Sequence, residues 1–225
     1  MKNRIILLLD DLTWDEAYPI LVATKGMVWG YKLRKVILEK GIKIIEEVKK
    51  YGNVMVDFKL YDIPSAMTES LLYHQKNGAD ITTVHCSSQY AVEKNVDMSK
   101  IAGVTILTSF GDEIFRYYKE CPQIKDLVRE MCERSYILDY GYVVCSPLEL
   151  DSIKDINIKK ITPGIRPVWY SPSAAKWDDD QTRISTPAGA INAGADLLVI
   201  GRPILKADNI VAAIMKTNDE INEVL

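Results

Sequence analysis

The sequence predicts a single-domain α/β protein, a (β/α)8 TIM barrel occupying residues 1–225. Three observations carry that expectation. Eight apolar runs of strand length recur along the whole chain, segments with helical spacing separate them, and 225 residues suit one hydrophobic core rather than two. An open, doubly wound sheet is the lesser alternative.

The strand-length runs fall at residues 4–9, 27–33, 53–58, 81–85, 102–108, 141–145, 159–162 and 197–200. They are too continuously apolar for half-exposed strands and fit a parallel sheet covered on both faces. Between the second and third runs, Ile42, Ile45 and Val48 share one helical face and Lys43, Glu46, Glu47 and Lys50 the other. Ile210, Ala213, Ile214 and Ile221 repeat that spacing after the eighth run. Thr13-Trp14-Asp15-Glu16 reads as a helix start, which leaves Asp11 as a capping or solvated side chain. Gly78-Ala79-Asp80 and Gly194-Ala195-Asp196 each follow a helix and precede a strand, as a glycine C-cap with a short return loop does. No linker or internal boundary interrupts the series.

Composition limits the partners. The chain is 48% apolar and 26% charged, which excludes a disordered chain, and its 28 basic against 31 acidic side chains give a net charge of -3. No overall positive field exists to collect nucleic acid through its phosphates, so an anionic ligand must be met locally. The apolar stretch from Ile5 to Leu9 ends at Asp10 and Asp11, too short for a signal-peptide core or a membrane span, so a cytoplasmic protein without a membrane partner is expected. Cys86, Cys121, Cys132 and Cys145 are scattered, only two histidines are present, and zinc-ligand spacing is lacking. Reduced thiols and no metal site are expected.

In a β/α barrel, chemistry gathers where strands end and βα loops begin. The predicted strand ends carry Asp10, Lys32, Asp57, Lys59, Asp62, His85, Thr108, Ser109, Cys145, Thr162, Gly164, Arg166, Gly201 and Arg202. The third run is the most informative. Asp57 and Lys59, two apart in a strand, project to one face, and Lys32 can join them from the neighbouring strand. Charges in that position must pair, because an isolated ion in a low-dielectric interior loses several kcal/mol of solvation. Spacing alone leaves two readings open: a structural ion-pair network, or a fixed negative charge beside a lysine that stabilises and protonates a carbanion.

The phosphate-binding candidates lie in the last two units. Gly164 permits close backbone approach, and Gly201-Arg202-Pro203 sets an arginine just beyond the eighth run at a helix start. The long segment between residues 167 and 180 has the length of a lid. His85 reads as a packing histidine and His74 as a surface residue on a helix over residues 65–76. Cys86 and Cys145 lack a basic partner and do not suggest a nucleophile. Arg183 is a candidate partner for Asp179 or Asp180.

Asp57-x-Lys59-x-x-Asp62-Ile63-Pro64 resembles the signature of the orotidine 5'-phosphate decarboxylase family. Ile161-Thr162-Pro163-Gly164-Ile165-Arg166-Pro167, Asp179-Asp180-Gln181-Thr182-Arg183 and Val199-Ile200-Gly201-Arg202-Pro203-Ile204 resemble its later motifs, in order. The likeness spans essentially the whole chain. It implies a cofactor-free decarboxylase acting on a pyrimidine nucleotide, with Lys59, Asp57, Lys32 and Asp62 as the charged catalytic group. It further implies that Asp10 takes the ribose hydroxyls, that Thr108 or Ser109 meets the base, that Pro163, Gly164 and Gly201 bind substrate, that Arg202 clamps the phosphate, and that Gln181 bridges phosphate and base from a closing loop. Family members are homodimers in which the second aspartate of the signature reaches the neighbouring site, which assigns that role to Asp62. Ala66 departs from the pattern, standing where many members have threonine. Two rivals remain: a Mg-dependent sugar-phosphate decarboxylase or aldolase of the same superfamily, which metal dependence distinguishes, and a catalytically silent nucleotide-binding barrel, which binds without turnover.

Overall fold

A computed structural model describes residues 3–88, 95–110, 123–170 and 183–225. Eight parallel strands close in sequence order into a barrel: β1 (Ile5–Leu8), β2 (Gly30–Leu33), β3 (Asn53–Leu60), β4 (Ile81–His85), β5 (Ile101–Val104), β6 (Tyr142–Val144), β7 (Lys159–Thr162) and β8 (Leu197–Ile200). The predicted closed barrel is the observed one. Strand β1 completes it by pairing with β8 in the register Ile6 to Val199.

Alternation along the strands separates two apolar layers. Ile6, Met55, Ile81, Ala102, Ile161, Leu197 and Val199 fill the barrel interior. Leu7, Val54, Val56, Val84, Val143, Leu198 and their neighbours face outward, against the helices. The helices are α1 (Trp14–Thr24), α2 (Lys35–Lys40), α3 (Ile44–Val48), α4 (Pro64–Lys76), α5 (Ile124–Ile137), α6 (Pro187–Asn192), α7 (Arg202–Leu205) and α8 (Ile210–Asn222). Short 3-10 turns at Met98–Lys100 and Pro147–Ile153 stand ahead of β5 and after β6.

Local sequence explains the joints. Thr13 caps α1 by accepting from the Glu16 amide, and the Glu16 carboxylate accepts from the Thr13 amide at 2.8 Å, a complete capping box. Asp11 therefore does not cap the helix. It is exposed and lines the barrel mouth instead. The two Gly-Ala-Asp segments do the same work in each half. Gly78 (φ 95°) and Gly194 (φ 104°) turn the chain in the left-handed region that disfavours side chains. Each following aspartate then accepts from a strand amide, Asp80 from Val54 at 2.7 Å and Asp196 from Lys160 at 2.8 Å.

Two expectations change. The fifth strand ends at Val104 rather than at residue 108, because the Thr105 hydroxyl joins its own amide on the Val144 carbonyl and the chain then leaves the ladder. Thr108 and Ser109 consequently sit on the loop beyond it. His74 is buried, 6% exposed, not on the surface: it packs against the Phe58 ring and meets Thr82 Oγ1 at 3.5 Å, and burial lowers its pKa. Arg183 pairs with Glu149. Asp179 and Asp180 lie outside the described residues.

Candidate active site

The C-terminal mouth of the barrel holds a cavity of about 590 Å³, a size that suits a small-molecule ligand. Lys32, Asp57, Lys59, Thr108, Ser109, Pro163, Gly164, Gly201 and Arg202 line it. These are most of the predicted site residues, brought from β2, β3, β7, β8 and the loop after β5.

A chain of alternating charges reaches the cavity: Lys32, Asp57 and Lys59 line it, while Asp10, bonded to Lys32, does not. Lys32 donates to both Asp10 and Asp57, and Lys59 Nζ donates to Asp57 Oδ2 at 2.9 Å. Lys32, Asp57 and Asp10 are buried, whereas the Lys59 side chain is 32% exposed toward the cavity. The order acid, base, acid, base lets each ion compensate its neighbour's lost solvation. Burial alone would raise the Asp57 carboxyl, but the Lys32 and Lys59 ammonium groups overcome it and hold the pKa down at about 2. Asp10 has only Lys32 close by, so burial, assisted by the negative charge of Asp57, raises its pKa. Lys32 is itself raised: burial opposes its charge, and the flanking carboxylates outweigh burial. Asp10 Oδ1 is buried without a hydrogen-bond partner among the described residues.

Asp57 and Lys59 do not meet through a regular pleat. Val56 pairs with Thr82 and Leu60 with Val84, so Asp57, Phe58 and Lys59 together oppose Thr83 alone. This bulge puts Lys59 at φ 49°, unusual for a residue with a side chain. Thr83, which sequence reasoning passed over, lies under the bulge. Its hydroxyl accepts from the Lys59 amide at 2.9 Å and donates to Asp57 Oδ1 at 2.8 Å. A pair of threonines in a buried apolar strand was the available signal.

Arginines also reach the cavity from the loops after β7 and β8. Gly164 adopts φ 78° just beyond β7, and Arg166 and Arg202 both border the cavity. Arg166, one of the strand-end residues of the sequence, lines the cavity beside Pro163, Gly164, Gly201 and Arg202. Arg34, at the exit of β2, also borders the cavity and was not anticipated.

Other residues fall elsewhere. Asp62 is exposed, accepts from the Ile63 amide at 2.8 Å, and does not line the cavity. Gln181 lies outside the described residues. His85 does not line the cavity; it meets Ser87 Oγ at 3.1 Å and the edge of the Tyr61 ring, as a packing residue does. Burial pushes the Cys145 thiol up to about 12, which removes a thiolate nucleophile from consideration.

Comparison with known proteins agrees with this geometry. Residues 3–217 match the model of the "Orotidine 5'-phosphate decarboxylase / HUMPS family". A protein of Desulfosudis oleivorans named orotidine 5'-phosphate decarboxylase is 35% identical, covering 100% of this chain and 95% of its own length. One of Rhodopseudomonas palustris with the same name is 34% identical over 98% of this chain and 95% of its own. The crystal structure of orotidine 5'-phosphate decarboxylase from Lactobacillus acidophilus superposes with a TM-score of 0.76, at 24% identity, over 98% of this chain and 99% of that one, a likeness of fold. The match over nearly the full length, on a barrel with this charged mouth, makes the chain a member of the orotidine 5'-phosphate decarboxylase / HUMPS family.

Proposed function

We propose that the chain decarboxylates orotidine 5'-phosphate to uridine 5'-phosphate and CO2, a step of pyrimidine nucleotide synthesis, without metal or organic cofactor. The observation that carries this reading is the Asp10–Lys32–Asp57–Lys59 charge chain, whose Lys32, Asp57 and Lys59 line the cavity together with Arg166 and Arg202. An ammonium group, that of Lys32, already lies between the two carboxylates.

The substrate phosphate rests against Gly164, Gly201 and the arginines, with Gln181 completing its grip. Binding energy at that remote end then holds the orotate carboxylate near Asp57, whose pKa of about 2 keeps it charged and repulsive to the carboxylate. Loss of CO2 breaks the bond at C6 and leaves its electron pair there. The Lys59 ammonium stabilises that carbanion and transfers a proton to it, and solvent restores the lysine's proton. Asp10 takes the ribose hydroxyls, and Thr108 or Ser109 bonds the base. Asp62, exposed and outside the cavity lining, serves the site of a second copy in a homodimer.

The test is turnover of orotidine 5'-phosphate by the purified protein in excess EDTA, followed by loss of substrate absorbance and release of CO2. Turnover supports the reading. Activity on a sugar phosphate only after Mg2+ addition would transfer the chain to the metal-dependent branch, and binding without turnover would make it a nucleotide sensor.

A further inference from the structure

The bulge in β3 creates a problem that one side chain solves. With three residues of β3 facing one of β4, the Lys59 amide loses the strand carbonyl that a regular ladder would supply. Thr83 Oγ1 takes that place, accepting at 2.9 Å. A hydroxyl has one proton to give, and here Asp57 Oδ1 receives it at 2.8 Å, while the Val56 carbonyl lies farther off at 3.4 Å.

We propose that Thr83 is a positioning residue, whose hydroxyl fixes Asp57 and Lys59 relative to each other for decarboxylation and proton transfer. The division of the carboxylate is the point. Oδ1 is held by Thr83, so Oδ2 alone faces Lys32 and Lys59. Rotation of the carboxylate would break contacts to two lysines at once. Thr83 Oγ1, by accepting from the Lys59 amide, also holds that backbone in its left-handed conformation, and so sets where the side chain leaves the strand. Thr83 itself has no exposed surface and does not border the cavity, so it acts through these two residues. Its neighbour Thr82 points the other way, toward His74 on α4, and takes no part.

The inference rests on the function proposed above. Thr83→Val keeps the shape and removes the hydroxyl, whereas Thr83→Ser keeps the hydroxyl. In the valine variant, kcat on orotidine 5'-phosphate is expected to fall about 100-fold, the effect of a small misplacement of reacting groups. The Kd for uridine 5'-phosphate, measured by calorimetry, stays within about threefold, because the phosphate wall is untouched. Serine restores most of kcat. Should valine fail to fold, as judged by thermal melting, Thr83→Ala provides the same comparison with serine. Wild-type kcat in the folded valine or alanine variant, equal loss in the serine variant, or a loss of affinity as large as the loss of kcat overturns the inference. A wild-type protein that does not turn over the nucleotide instead defeats the underlying function.

Discussion

Arg183 Nη2 donates to Glu149 Oε1 in a buried ion pair that leaves the arginine 9% and the glutamate 4% exposed. Glu149 sits on the 3-10 turn after β6, while Ser185, two residues beyond Arg183, bonds the loop after β7: the Arg166 amide donates to its carbonyl at 2.8 Å, and its own amide donates to Gly164 O. The pair thus anchors the strand segment that steadies Gly164 and Arg166. Glu149→Gln is expected to cost about 3–5 kcal/mol, because it strands a buried guanidinium, while Glu149→Met with Arg183→Met costs far less. Urea denaturation of the two variants checks this.

Removing Arg202 isolates the phosphate wall. Arg202→Ala is expected to reduce kcat/KM by about 10- to 100-fold through loss of a charge-assisted contact. The effect vanishes on the nucleoside orotidine, which has no phosphate. Steady-state kinetics on both substrates makes the measurement, and equal losses would place Arg202 outside the phosphate site.

The low pKa of Asp57 has a consequence at acid pH. Its value in the folded protein, about 2, lies below the ordinary 3.8, so its contribution to stability is fully present above the ordinary value and is lost as pH falls toward 2. That contribution is about 2 kcal/mol. Asp10, with its raised pKa, acts in the opposite sense and recovers part of the loss on protonation. Denaturation free energies between pH 5 and pH 2 are expected to fall less steeply for Asp57→Asn than for the wild type.

The assignment of Asp62 to a second copy is tested by mixing defects. Lys59→Ala and Asp62→Ala homodimers are each expected to be severely impaired. Unfolded together and refolded, they form hybrids in which one site has both residues, so roughly a quarter of all sites recover. Recovery absent from a mixture shown to contain hybrids would mean that Asp62 serves its own subunit.

The barrel and its charged mouth were legible because both follow from short-range pattern. Apolar runs at regular intervals give the strands, and alternating signs at strand ends give the Asp57–Lys59 pair. What stayed hidden depends on register and packing. Nothing in the spacing of Asp57 and Lys59 announces a bulge, so the supporting role of Thr83 required the β3–β4 pairing. His74 looked solvent-facing on a helix of mixed polarity, yet α4 turns it inward against Phe58 and Thr82. Thr108 and Ser109 were counted into β5 because the apolar run continues past the point where Thr105 ends the ladder. The pairing of Arg183 with Glu149 joins residues distant in sequence, which local spacing does not reveal.

Closure of the barrel between β1 and β8 also orders the assembly of the protein in time. Asp10, Lys32, Asp57 and Lys59 all lie in the first sixty residues, but the β1 edge that carries Asp10 finds its second neighbour only when residues 197–200 arrive. The Leu198 amide then bonds the Arg4 carbonyl, and Asn218 reaches Met27, contacts about as long in sequence as this chain permits. Such contacts carry the largest loop-closure entropy and form late. A chain that has not yet placed β8 therefore keeps one β1 edge unpaired and open to wrong partners. Docking of β8 and α7 both seals that edge and brings Arg202 to the cavity lined by Lys32, Asp57 and Lys59, so closing the barrel and completing the cavity are a single event.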